Sequence, residues 1–135
     1  MVEELEITIA SHPRWLRLVR QVIQEFARES GFPEQDAQAI VLAVCEAVGN
    51  VLKHSYKGDT ERTFSLACRS GEGDLEFEIR DVGPPFEPQK VPNLRPDEVR
   101  PGGRGLFLMR EIMDEVEHSR VNGENVVTLR KRIPR

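Results

Sequence analysis

Glu46 and Asn50 stand four residues apart, with Lys53 and His54 just beyond, in a run whose other members Ala43, Val44, Cys45, Ala47, Val48, Gly49, Val51 and Leu52 offer no charge. If the run is helical, this spacing sets an acid and a neutral amide one above the other on a single stripe, which the lysine and histidine continue. The same stripe is what the solvated side of an amphipathic helix looks like. Its composition points further, because a carboxylate in apolar company needs a partner to offset the cost of leaving water. A divalent cation carried by phosphates would be such a partner. The amide oxygen of Asn50 is a hard ligand suited to magnesium, which takes one or two protein groups and completes its shell with phosphate oxygens and water. Glu46 would then orient or deprotonate an attacking hydroxyl. His54 has the simpler reading of a helix-end packing group, and Lys53 that of a cation in solvent or near phosphate.

Two other pieces fit a nucleotide. Asp81 follows an alternating run and precedes Val82, Gly83, Pro84, Pro85 and Phe86. An aspartate before glycine and proline often caps a turn. Its carboxylate could also accept a hydrogen bond from an exocyclic amine, which selects adenine, while Gly83 lets a base lie flat against the chain. Gly102, Gly103, Arg104 and Gly105 then lead into Leu106 and a helical pattern, where free backbone N–H groups and the helix dipole favour an anion. Alone, such a cluster reports a flexible turn. It is not a Walker loop, since no Lys-Ser or Lys-Thr follows at the required spacing, and no strand leads directly into it as a dinucleotide fingerprint needs.

The elements that must hold these groups are legible as patterns. Leu5 to Ile9 alternates as a strand with one buried face. Ser11 is placed to cap a helix with Pro13 in its first turn, and Trp15, Leu16, Leu18, Val19, Val22, Ile23 and Phe26 recur at helical spacing until Gly31. A second helix opens at Pro33, with Glu34 and Asp36 near its positive end, and is expected to run to about Tyr56. The segments 63–68 and 75–79 alternate around a hairpin turn at 70–74. Between Gly83 and Gly105 six prolines exclude helix and central strand, so 84–104 reads as a lid. Leu106, Met109, Ile112 and Met113 suggest a short helix, and a hairpin turning at Asn122 and Gly123 closes the chain.

Bulk properties bound the rest. With 135 residues the chain suits one domain, 1–135, of two layers. A formal net charge of −4 with dispersed lysine and arginine argues against nucleic acid as the main partner. Cys45 and Cys68 lack metal-ligand spacing and read as reduced packing residues. The acidic start is unlike a signal peptide, and no stretch reaches the roughly 20 apolar residues of a membrane span, so a cytoplasmic protein with no membrane partner is expected.

Taken in order, these motifs resemble the ATPase superfamily of DNA gyrase, heat-shock chaperones, sensor histidine kinases and mismatch-repair proteins. Within it they are most similar to the small anti-sigma factor serine-protein kinases of bacteria. Glu46-Ala47-Val48-Gly49-Asn50 with His54-Ser55-Tyr56 matches the first box, Asp81-Val82-Gly83-Pro84-Pro85-Phe86 the second and Gly103-Arg104-Gly105-Leu106 the third; Met113-Asp114-Glu115-Val116 is also typical of the small kinases. The resemblance implies an α+β fold of the Bergerat type, a two-layer sandwich with a mixed, mostly antiparallel sheet and helices on one face. It implies ATP and Mg2+ as cofactors, Glu46 as catalytic acid–base, Asn50 as magnesium ligand, and Asp81 and Gly83 at adenine. Gly103 and Gly105 would meet phosphate under the lid. Lys53, His54, Arg100, Arg104 and Leu106 complete the cofactor-binding set, with Arg100 or Arg104 supplying the lid cation.

The implied function is an ATP-dependent serine/threonine kinase and anti-sigma factor. It would phosphorylate an antagonist protein and, when free of it, capture a sigma factor or similar regulator. Homodimers are common in such a family, although no periodic seam here fixes an interface. Departures exist: Pro85 stands where a second glycine is frequent, and Asn125-Val126 where a threonine pair is frequent. They favour the alternative of an ATP-binding module that sequesters a partner without appreciable kinase activity. A histidine kinase fragment is the weaker rival, because His12, His54 and His118 do not sit on a phosphoacceptor helix.

Overall fold

The computed structural model describes residues 3–86 and 105–134. Strand β1 (Glu3–Ala10) leads through a single 3-10 turn at Pro13–Trp15 into α1 (Leu16–Glu29), and α2 (Glu34–Asn50) follows. Strands β2 (Thr63–Gly71) and β3 (Asp74–Asp81) form a hairpin; α3 (Gly105–Ile112) precedes a second hairpin of β4 (Glu115–Val121) and β5 (Glu124–Arg132). The strands lie in the order β1-β2-β3-β5-β4, and every adjacent pair is antiparallel.

The sheet is therefore not mixed, and chain reversal explains why. Among the described residues the helices α1 and α2 separate β1 from β2, and α3 and β4 separate β3 from β5, so in each case the chain direction is reversed when the strands pair. Both hairpins close on turns with two successive positive φ values, 53° and 90° at Glu72 and Gly73 and 51° and 80° at Asn122 and Gly123. That handedness matches the twist of the flanking strands.

Alternation sorts the two faces of the sheet. Phe64, Leu66 and Cys68 of β2, Leu75, Phe77 and Ile79 of β3, and Val127 and Leu129 of β5 all face one core with the helices. Within the helical layer α2 packs against both α1 and α3. Val19, Ile23 and Ala27 of α1 and Ile40, Val44 and Val48 of α2 reach the same core. α2 buries six residues, more than α1 or α3, because it lies between them against the sheet.

The opposite face carries a charge-alternating row that crosses all five strands. Glu4, Arg69, Glu76, Arg130 and Glu115 are successive cross-strand partners. Arg69 meets Glu4 at 3.2 Å and Glu76 at 2.9 Å, Arg130 meets Glu76 at 2.7 Å, and Arg130 also pairs with Glu115. The three inner charges, Arg69, Glu76 and Arg130, face opposite charges on both sides, and Glu4 and Glu115 on the edge strands face one each, the favourable arrangement for directly opposed strand residues.

Two expectations at helix ends are corrected. Ser11 does not cap α1: its hydroxyl donates to Asp59 O at 2.7 Å and accepts from Arg62 N at 3.0 Å, tying the end of β1 to the start of β2. His12 caps the 3-10 turn before α1, its Nδ1 accepting from Arg14 N at 3.1 Å, and α1 itself starts after Trp15 with no side-chain cap. α2 does not continue as one α-helix to Tyr56 either. It widens into a π-helical turn over Val51–Ser55, where Tyr56 N donates to Val51 O at 2.8 Å. Both cysteines are free thiols; Cys68 is buried and its thiol is pushed up to about 12 by burial, as suits a packing residue.

The charged row sets a pH dependence. Burial would raise the Glu76 carboxyl, but the hydrogen bonds from Arg130 and Arg69 outweigh it and hold the group below the ordinary glutamate value. A depressed acid stabilises the fold above its unfolded value, near 4.3, and that contribution disappears as pH falls through the folded value. Glu76→Gln is therefore expected to lose less stability than the unaltered chain between about pH 7 and about pH 3, measured as urea midpoints across that range.

Candidate functional site

The site is built where β3 and β5 end beside the last turn of α2. Asp81 continues the inward series of Leu75, Phe77 and Ile79, so the strand period carries a carboxylate into the core face. Opposite it in the β3–β5 register stands Asn125, and opposite Asn125 in the β4–β5 register stands Arg120. Three polar residues thus form one cross-strand row at the rim of an otherwise apolar face.

Asp81 is 6% exposed, and its burial is compensated at a single oxygen. Oδ1 accepts from Gly83 N at 2.9 Å, from Asn125 Nδ2 at 2.9 Å and from the Ser55 hydroxyl in a short contact. Oδ2 receives no donor among the described residues, while Asp81 lines a cavity of about 270 Å³. The carboxylate is thus held by one oxygen and offers the other. A Cβ on Gly83 would lie 2.1 Å from Ser55 Oγ and 2.9 Å from Ser55 O, so only glycine permits this closeness.

Ser55 reaches Asp81 because of the π-helical turn. Continuing α2 with α-helical pitch would set Lys53 and His54 on the stripe of Glu46 and Asn50. The wider turn instead brings Val51 and Ser55 to the cavity wall and leaves Lys53 and His54 exposed and outside it. π-helical turns of this kind recur at functional sites for that reason, since one extra residue re-aims the side chains that follow. Tyr56 completes the corner: its hydroxyl donates to Thr63 O at 2.5 Å and accepts from Val82 N at 3.0 Å.

Asn50 and Asp81 share the cavity, whose wall also includes Phe86 and His118. The Phe86 and His118 rings stack with centroids 4.6 Å apart and planes inclined by 21°. Burial, with the Arg110 charge adding to it, pushes the His118 imidazole down to about 4, so the ring is neutral at physiological pH. Glu46 is not among the lining residues. It lies one turn back on α2, half-buried, against the first residue of α3: a Cβ on Gly105 would sit 2.8 Å from Glu46 Oε2. The acid thus faces the start of α3, where backbone N–H groups are free.

Gly105 opens α3, and the Leu106 side chain is in the core at 1% exposure, so what Leu106 offers a ligand is its backbone. Arg100, Gly103 and Arg104, with most of the expected lid, lie outside the described residues. Sequence reasoning passed over Ser55, Arg120 and His118 as site residues. A signal existed for the last two, because alternation in β4 gives them the inward phase of Val116. Ser55 was named only as part of the first box, and its partner could not be read there, since its position depends on the change of helical pitch. Among the described residues no cluster of His, Cys, Asp and Glu is arranged to hold a metal ion alone. A cation near Asn50 would share its shell with a ligand.

Comparison with known proteins places this geometry. Residues 9–131 match the model of the histidine kinase-like ATPase domain. The serine-protein kinase RsbW of Bacillus velezensis is 30% identical over 133 residues, an alignment covering 93% of this chain and 83% of that protein. RsbW of Bacillus pumilus is 31% identical over 135 residues with the same coverage, and that of Listeria innocua 28% identical, covering 94% and 86%. In fold, the chain is similar to a structure of the RsbU and RsbW domains of a Mycobacterium tuberculosis protein, with a TM-score of 0.69 and 23% identity over 97% of this chain and 32% of that one. A histidine kinase domain from Erythrobacter litoralis shares the fold at a TM-score of 0.57 and 18% identity, covering 93% and 62%. With the α2 acid and amide, the Asp81 corner and the Gly105 helix start all lying within the matched span, the chain belongs to the histidine kinase-like ATPase domain family.

Proposed function

We propose that this chain is an ATP-dependent protein serine/threonine kinase that also acts as an anti-sigma factor in a partner-switching system, with an anti-sigma factor antagonist as its substrate. The observation that carries the reading is the disposition of three polar groups around one helix end. Asp81 presents a carboxylate oxygen to the cavity shared with Asn50, and Glu46 lies one turn away against Gly105. Similarity to curated serine-protein kinases over nearly the whole chain supports the same reading.

The roles follow from chemistry. Asp81 accepts a hydrogen bond from the exocyclic amine of adenine, and the carbonyl that guanine carries there would be repelled by it. The Gly83 backbone keeps that edge of the cavity thin. Asn50 offers a neutral oxygen to a magnesium ion, which neutralises charge on the transferring phosphoryl group. Glu46 accepts the proton of the attacking serine or threonine hydroxyl. The start of α3 at Gly105 brings backbone donors to the same place. With Arg100, Gly103 and Arg104, it is proposed to hold the phosphates, while Lys53 and His54, exposed at the turn, are left a role at the periphery.

Three outcomes test the reading. The melting temperature is expected to rise with ATP or ADP and far less with GTP, and the ATP effect to shrink when magnesium is chelated; equal response to both purines would refute the role of Asp81. Glu46→Ala should slow phosphate transfer to the antagonist by roughly two to four orders of magnitude, read as phosphoserine or phosphothreonine formed in single turnover. Transfer at the full rate would remove Glu46 from the mechanism. Gly105→Ala places a methyl against the Glu46 carboxylate, so transfer should fall roughly tenfold to a hundredfold while the melting temperature holds or rises.

A further inference from the structure

The amide of Asn125 spends its entire hydrogen-bonding capacity within the protein. Nδ2 donates to Asp81 Oδ1 at 2.9 Å and to Pro84 O at 2.7 Å. Oδ1 accepts from Phe86 N at 2.9 Å and from Arg120 Nη1 at 3.1 Å. A primary amide has two donors and two acceptor sites, so all four are used and none is left for a ligand. The arrangement has one polarity: reversing the amide would point Nδ2 at two donors and Oδ1 at two acceptors. Asn125 is itself 5% exposed and lines the cavity, but its amide has no hydrogen bond left to offer what enters there.

Those groups are the base-facing carboxylate and one wall of the same cavity. Without Asn125, Asp81 Oδ1 keeps the Ser55 hydroxyl and Gly83 N, and the carboxylate gains freedom to turn about its last bond. The Pro84–Phe86 segment loses two bonds at once. It would be held by the Arg120 contact to Gly83 O, at 3.2 Å, and by the stack of Phe86 on His118. We propose that Asn125 is a specificity-determining positioning residue: one amide fixes both the angle of Asp81 Oδ2 and the Pro84–Phe86 wall. The preference for a purine bearing an amine over one bearing a carbonyl thus depends on a side chain whose own hydrogen bonds go to neither. The inference rests on the nucleotide reading above.

The test compares Kd for ATP and GTP by calorimetry in the unaltered chain, Asn125→Thr and Arg120→Met. Threonine suits the strand and keeps one hydroxyl, but it cannot serve four partners. The ATP-over-GTP ratio is expected to drop roughly tenfold, as expected for loss of a hydrogen bond to a charged group. Arg120→Met removes one partner of the amide from an exposed position, where folding is not at stake, and should lower the ratio by a smaller factor of roughly two to four. A merely structural role for Asn125 would lower the melting temperature or weaken both nucleotides equally. An unchanged ratio in folded Asn125→Thr would therefore overturn the inference. Should that variant not fold, an unchanged ratio in Arg120→Met decides against it alone. An unaltered chain that does not distinguish the two nucleotides overturns both this inference and the nucleotide reading, whereas a selective chain with equally selective variants overturns this inference only.

Discussion

A carboxylate at the end of a core-facing strand is the constraint around which the rest is arranged. Asp81 follows the phase of Leu75, Phe77 and Ile79, so it cannot turn outward without turning them outward too. Burying it without partners would cost several kcal/mol, and a hydrogen bond to a charged group returns about 1.5–3 kcal/mol. Three donors therefore converge on Oδ1, each from a different element: Ser55 from the end of the α2 region, Gly83 from the chain just after β3, and Asn125 from β5. The helix end, the strand end and the neighbouring strand are thereby registered to one atom. Leaving Oδ2 outside this arrangement turns a structural need into a recognition surface.

The same constraint accounts for the irregularities nearby. α2 has to deliver Asn50 to the cavity and Ser55 to Asp81, and residues five apart do not share a face at α-helical pitch. The π-helical turn over Val51–Ser55 resolves this by inserting the missing angle. Gly83 lacks a side chain because Ser55 occupies the space one would need, and Gly105 lacks one because the Glu46 carboxylate does. Glycine at these two places thus reports close approach of another chain segment, not a turn that demands a left-handed backbone.

The two faces of the sheet divide the electrostatic work. On the helix side, the polar rim row runs from buried Asp81 and Asn125 to exposed Arg120, and burial of the first two makes the hydrogen bonds between them directional and strong. On the open side, Glu4, Arg69, Glu76, Arg130 and Glu115 alternate in sign across all five strands. Part-exposed pairs of this kind each contribute little, but a slip of one residue in any strand would carry its charge round to the core face. The row thereby helps to hold the register that places Asn125 opposite Asp81.

Much of this was written in local patterns. Period-two alternation gave both hairpins and the inward phase of Asp81, helical spacing gave α1, α2 and α3, and Asn122-Gly123 marked its turn. The pieces that resemble an ATPase could be recognised because they are short, contiguous and carried by single elements. What the linear order could not decide was every relation between elements: that β5 lies next to β3, that the sheet is wholly antiparallel, that Asn125 meets Asp81 and not another residue, and that Glu46 faces Gly105. Strand pairing is settled by the packing of the whole helical layer on the sheet, a sum over distant contacts that no window of residues contains. The change of pitch after Asn50 belongs to the same class. Val51 to Ser55 have no local reason to leave the α-helix; they do so because a buried oxygen 26 residues later in the chain accepts the Ser55 hydroxyl.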